Sequence, residues 1–181
     1  MEANEAGELQ EHAEHGAHEP SMRPVAFTMS VLAVLVAVVT VLGHRTHTAA
    51  VLYQAKASDQ WNFYQAKNIR ATISDRASGL LSVTNAVDKD KAQKLAKDWA
   101  DKQAKWAGDL KDEEEKARQL EEKVEQAEAR ATRYDLGEAL LEIALVTASI
   151  TLLTRNRLYW LLGLAFGLAG IVSTVSGLFL K

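Results

Sequence analysis

Residues 92–134 read AQKLAKDWADKQAKWAGDLKDEEEKARQLEEKVEQAEARATRY. Charged residues dominate, proline is absent and Gly108 is the only glycine. Counting in alternate steps of four and three gives Ala92, Ala96, Trp99, Gln103, Trp106, Leu110, Glu113, Ala117, Leu120, Val124, Ala127, Ala131 and Tyr134. All but Gln103 and Glu113 are apolar. A repeat of 3.5 residues is the signature of a coiled-coil seam, sustained here for about six heptads. The stretch therefore predicts a long helix that lies against another helix.

Strongly apolar runs flank this region on both sides. Residues 25–43, VAFTMSVLAVLVAVVTVLG, carry no charge. At 1.5 Å per residue they reach about 28 Å, enough to cross a bilayer. A cleaved signal peptide is the competing reading. The preceding segment is acidic, the run is long for a signal core and no A-x-A site follows, which favours a retained anchor. Residues 158–180 are also uncharged and long enough to span. Residues 136–154 can span if Glu138 and Glu142 are accommodated. The two prolines, Pro20 and Pro24, precede the first span, so everything after them is free to be helical. With no cysteine, disulfides, thiolate metal sites and cysteine nucleophiles are excluded. A net charge of −3 makes nucleic acid an unsuitable partner.

The third span carries Gly163, Gly167, Gly170, Thr174 and Gly177 at spacings of 4, 3, 4 and 3. Small residues in one stripe let helix backbones approach closely in lipid, within one protomer or between protomers. Orientation follows from short-loop arginines, which stay in the cytoplasm. Arg155 and Arg157 lie in such a loop, which puts the N-terminus inside and residues 44–134 outside. Arg45, Arg130 and Arg133 argue the other way but flank a long segment, which the rule weights less.

The seam needs a partner, and residues 44–83 can supply it. If both helices rise straight from the membrane, residues at equal height have numbers summing to roughly 179. The turn then falls within residues 84–90, where TNAVDKD is polar and able to reverse the chain. The seam members Ala127, Val124, Leu110, Trp106, Trp99 and Ala96 map onto Leu52, Ala55, Ile69, Ile73, Leu80 and Val83. These belong to one stripe of the first helix. The stretch ASDQWNFYQAKNIR, residues 57–70, is awkward in that register because its stripe passes through Asp59 and Asn62. Trp61, Phe63 and Tyr64 point elsewhere, and a two-helix hairpin does not bury all three. A girdle of aromatics covered by a second protomer is the expectation.

At the second span, Asp135, Glu138 and Glu142 share one helix face. Ionisable residues in spans face protein or water. Equal height pairs Asp135 with Arg45 and sets Glu138 near Thr40, a structural arrangement. The sharper alternative is a proton- or cation-responsive site at Glu138 and Glu142. Residues 1–22 form an acidic tail without lysine before Arg23, expected to be disordered. His12, His15 and His18 in that tail could ligate zinc, nickel or copper, though a solvated tail is the simpler reading. No glycine-rich phosphate loop, H-E-x-x-H or G-x-S-x-G motif occurs. No enzyme activity and no cofactor are expected.

ASDQWNFYQAKNIR, RYDLGEALLEIALVTASITLLTRNR and the acidic histidine-containing tail together resemble one bacterial family, catalogued as domain of unknown function 4337. The resemblance covers nearly the whole chain. It implies three spans around an extramembrane helical region in a bacterial inner membrane, and no activity, substrate or catalytic residue. The expectation is thus an all-α membrane protein with three transmembrane helices and a long antiparallel coiled-coil hairpin, residues 44–134, between the first and second. It would be multi-pass, with a cytoplasmic N-terminus and a periplasmic hairpin. Its partners would be the bilayer and further copies of itself. The functional expectation is a structural or protein-interaction module. The alternatives are a small channel or transport-associated subunit and a metal-responsive protein.

Overall fold

The computed structural model describes residues 21–83 and 88–180. Three helices account for nearly all of them: α1 (Arg23–Val83), α2 (Lys89–Thr154) and α3 (Arg157–Phe179). No strand occurs among the described residues. Each helix contains a stretch long and apolar enough to cross a membrane. The expected turn within 84–90 falls largely on residues 84–87, outside the described residues, as does the tail with His12, His15 and His18.

Local chemistry explains the helix ends. Pro24 sits in the first turn of α1, where its missing N–H is not needed. The Asp88 carboxylate accepts from the Lys91 backbone N–H at 3.1 Å and caps α2. Arg155 ends α2 in the left-handed region, at φ 55°, a conformation that favours glycine. Asn156 then caps α3, its side-chain oxygen accepting from the Leu158 N–H at 3.0 Å.

The chain divides into two compact units. One takes in the described residues up to Ala50 and those from Glu125 onward. Its core joins Met22, just before α1, and Val25, Met29, Leu32, Val36 and Val39 of α1 to Tyr134, Leu141, Ala144, Leu145 and Ala148 of α2. Met22 is part of that core, although its position in the sequence suggested the tail. Helix α3 joins through its small residues, with Gly163, Gly167, Gly170, Ser173, Thr174 and Gly177 buried. A Cβ at Gly163 would lie 2.9 Å from the Ala144 carbonyl oxygen, and one at Gly170 2.9 Å from the Gly137 carbonyl oxygen. The expected small-residue stripe is therefore used inside the protomer, where it lets α3 approach the backbone of α2.

The second unit is Val51–Val124, formed by the remaining parts of α1 and α2. Every described position of the α2 stripe read from the sequence, from Ala92 to Val124, is buried or half-buried. The α1 face is a correction. Of the six α1 residues expected to face the seam, Leu52, Ala55, Ile69, Ile73 and Leu80 are all exposed, and the side chain of Val83 lies outside the described set. The sheltered positions of α1 instead include Tyr53, Ala57, Gln60, Tyr64, Lys67, Ala71, Ser74, Ser78 and Leu81. They too follow steps of three and four, displaced by alternately one and two residues from the expected stripe. A mean displacement of about one and a half residues corresponds to about 150° around a helix, so the expectation chose the far face. Between Tyr53 and Leu81 the inside of α1 carries mostly small or polar side chains, with Tyr64 among them, while Leu52, Ile69, Ile73 and Leu80 lie outside.

Candidate functional site

In the Val51–Val124 unit, polar contacts tie α1 to α2. The Glu113 carboxylate accepts from the Lys67 ammonium at 2.8 Å and from the Gln60 amide. Gln60 also approaches the Glu113 backbone carbonyl at 3.4 Å. Gln103 donates to Asp75 at 2.7 Å. Trp61 donates through its indole N–H to Glu121 at 2.8 Å. As the α1 number rises from Gln60 to Lys67 to Asp75, the α2 partner moves down from Glu113 to Gln103, so the paired segments run in opposite directions. Gln103 and Glu113, the two polar members of the α2 stripe, both reach across to α1, as does Glu121 beside it.

These contacts set the charge state of the pair. The Lys67 ammonium, then the Gln60 amide, hold the Glu113 carboxyl below the usual carboxylate range. Glu113 in turn raises Lys67 above its ordinary value. Lys116 approaches the same carboxylate at 3.5 Å.

The aromatic girdle is divided. Trp61 and Tyr64 are half-buried and meet edge to face, ring centres 5.5 Å apart. Phe63 is 64% exposed. Tyr64 finds cover within the protomer as a member of the inner stripe, Trp61 through its contacts with Tyr64 and Glu121, and Phe63 stays outside.

In the other unit, the three acidic residues have separate surroundings. Asp135 was expected beside Arg45. Its carboxylate oxygens instead lie 3.1 Å from Nε2 of His47. His47 lies two residues beyond Arg45, a rotation that presents the ring to Asp135. Glu138 accepts from the Thr40 hydroxyl at 2.5 Å, as equal height suggested. That hydroxyl also lies 2.9 Å from the Val36 carbonyl oxygen. Glu142 has no hydrogen bond or ion pair among the described residues. It lines a groove of about 400 Å³ with Ala139, Ile143, Val146 and Thr147. Among the described residues no three His, Asp or Glu side chains gather as a metal ion requires.

Sequence reasoning overlooked Gln60, Lys67 and Glu113 as one cluster. A signal was present: the stripe Gly43, Ala50, Ala57, Ala71 and Ser78 places small residues on a seven-residue interval through Tyr64. Counting from it leads to Gln60 and Lys67. Comparison with known proteins adds one relationship. No curated protein and no solved structure matches the chain significantly. The family described as a domain of unknown function, DUF4337, matches residues 21–180. That match covers all but the first 20 residues and the last one, and the chain belongs to the DUF4337 family.

Proposed function

We propose that the protein is a three-span membrane anchor carrying an antiparallel coiled-coil hairpin, and that it acts as a structural or protein-interaction module that self-associates. The hairpin stands outside the membrane, on the periplasmic side of a bacterial inner membrane, with the N-terminus in the cytoplasm. No catalytic step is assigned to it. The observation that carries this reading is the α2 stripe. The stripe from Ala92 to Val124 is sheltered at every described position, and Glu113 and Gln103 reach from it to α1, which supports a coiled-coil module.

Two measurements test it. The native chain has no cysteine, so single cysteines report accessibility cleanly. A cysteine at Asp90 should label from outside intact spheroplasts; labelling only after lysis would reverse the orientation. The mass of the full chain in detergent should exceed that of one protomer, and a strictly monomeric mass would remove self-association from the proposal.

Glu142 favours a second reading. An acidic side chain in a span without a protein partner is costly unless it titrates or meets another subunit. A proton- or cation-responsive subunit would use it. Ion flux in liposomes that is unchanged by Glu142→Gln would reject that role.

A further inference from the structure

We infer that the outward face of α1 within Val51–Val124 is a second coiled-coil seam, and that its occupant is the same face of a second copy of this chain. The inference rests on the proposed self-association and names the surface that performs it. Leu52, Ala55, Asp59, Asn62, Ala66, Ile69, Ile73, Arg76 and Leu80 follow unbroken steps of three and four, and all are exposed. Ile73 is 63% and Leu80 65% exposed. Val51 and Phe63, the other exposed large apolar side chains of α1 in this unit, border the stripe directly. The face is therefore patterned for a helix. Lipid is a poor occupant, since Lys56, Asp59, Arg70 and Arg76 lie on or beside the stripe.

The partner must bring an apolar stripe of the same spacing. On α2, Leu95 is the one exposed large apolar side chain among the described residues of this unit, so α2 cannot supply it. A second copy presents the required face in the form of its own α1. Copies anchored by the same spans in one membrane stand in the same direction, so their α1 helices pair in parallel and each residue meets its equivalent. The polar members suit that symmetry. Asn62 carries both donor and acceptor and can pair with its own image, the arrangement by which a seam asparagine sets register. Lys56 lies within one turn of Asp59 and offers a countercharge to the opposite carboxylate. Arg76 can extend its guanidinium to water along the rim.

The test uses the full chain in membranes and in detergent. Ile73→Cys and Leu80→Cys are placed singly, with Gln119→Cys on the exposed face of α2 as control. Equivalent residues in a parallel seam approach within the roughly 7 Å that a disulfide requires. Oxidation should shift Ile73→Cys and Leu80→Cys to the dimer position on a non-reducing gel and leave Gln119→Cys monomeric. The double variant Ile69→Gln/Ile73→Gln should lose the multimeric mass while keeping the helical circular dichroism, because both side chains are exposed in the protomer. A multimeric mass with no disulfide at Ile73 or Leu80, or one unchanged by the double variant, would overturn this face and leave self-association standing. A monomeric mass without any disulfide would overturn both. A disulfide-linked product at a mass other than the dimer would overturn a second copy as the occupant.

Discussion

Nζ of Lys67 lies 2.8 Å from Oε1 of Glu113, on the sheltered faces of α1 and α2. The two side chains retain only 28% and 16% of their exposure. The apolar neighbours of Glu113 on its stripe, Leu110 and Ala117, supply cohesion that tolerates sliding. A paired charge does not slide, because a shifted register leaves it unpaired in a poorly solvated place. The pair with Gln60 therefore sets which residues of α1 and α2 meet.

Removing one partner should harm more than removing both. Glu113→Ala leaves the Lys67 ammonium half-buried without its acceptor, whereas Lys67→Met with Glu113→Met replaces the pair by packing of similar volume. The expected order of melting temperature is double variant above Glu113→Ala, with wild type at or above the double variant. Thermal circular dichroism on the full chain measures it. Equal loss in the single and double variants would show that the pair does not specify the register.

The same pair makes stability depend on pH at both ends. Glu113 has a folded value below its unfolded one, near 4.3 for an ordinary glutamate. Its contribution is complete above that value and is lost as pH falls through the depressed folded value. Lys67 has a folded value above its unfolded one, near 10.4. Its contribution is complete below that value and is lost as pH rises through the raised folded value. The melting difference between wild type and Glu113→Gln should be flat at neutral pH and shrink in strong acid. A difference that persists unchanged at low pH would place its origin elsewhere.

The parts of the structure that are legible in the sequence are those where apolar bulk and inside position coincide. On α2 they coincide, and the stripe from Ala92 to Val124 is sheltered as its spacing implies. On α1 they do not. Leu52, Ile69, Ile73 and Leu80 are the bulky members, yet Ala57, Gln60, Lys67 and Ala71 face inward. Spacing alone gives two stripes on α1, and bulk picks the one that faces out. Asp135 was misassigned to Arg45 for a related reason: equal height fixes a level on the helix but not the angle that brings His47 round. The Thr40–Glu138 contact needed only the level, and height found it.

That contact carries its own expectation. Thr40→Val keeps the shape of the side chain and removes the hydroxyl that donates to Glu138. Leaving a half-buried acceptor without its donor costs about 1–3 kcal/mol. Glu138→Gln keeps an oxygen that can accept and should cost less. Unfolding in detergent compares them. If Glu138→Gln is as damaging as Thr40→Val, the hydroxyl is not what holds the carboxyl in place.

Glycine substitutions separate close packing from backbone effects. A Cβ at Gly170 would meet the Gly137 carbonyl oxygen and Cγ of Leu141, both at 2.9 Å. The first is backbone and cannot rotate away, so α3 must shift away from α2. Overpacking of this kind costs about 1–3 kcal/mol, and Gly170→Ala should destabilise the first unit by that amount. Gly108 meets nothing within 4 Å and lies in the middle of α2. There the added methyl only restricts the unfolded chain, and Gly108→Ala should stabilise the helix by about 0.5–1 kcal/mol. Denaturation of the two variants in the same detergent should move in opposite directions. A neutral Gly170→Ala would mean that α3 is free to draw back, and that its glycine stripe does not hold the spans in contact.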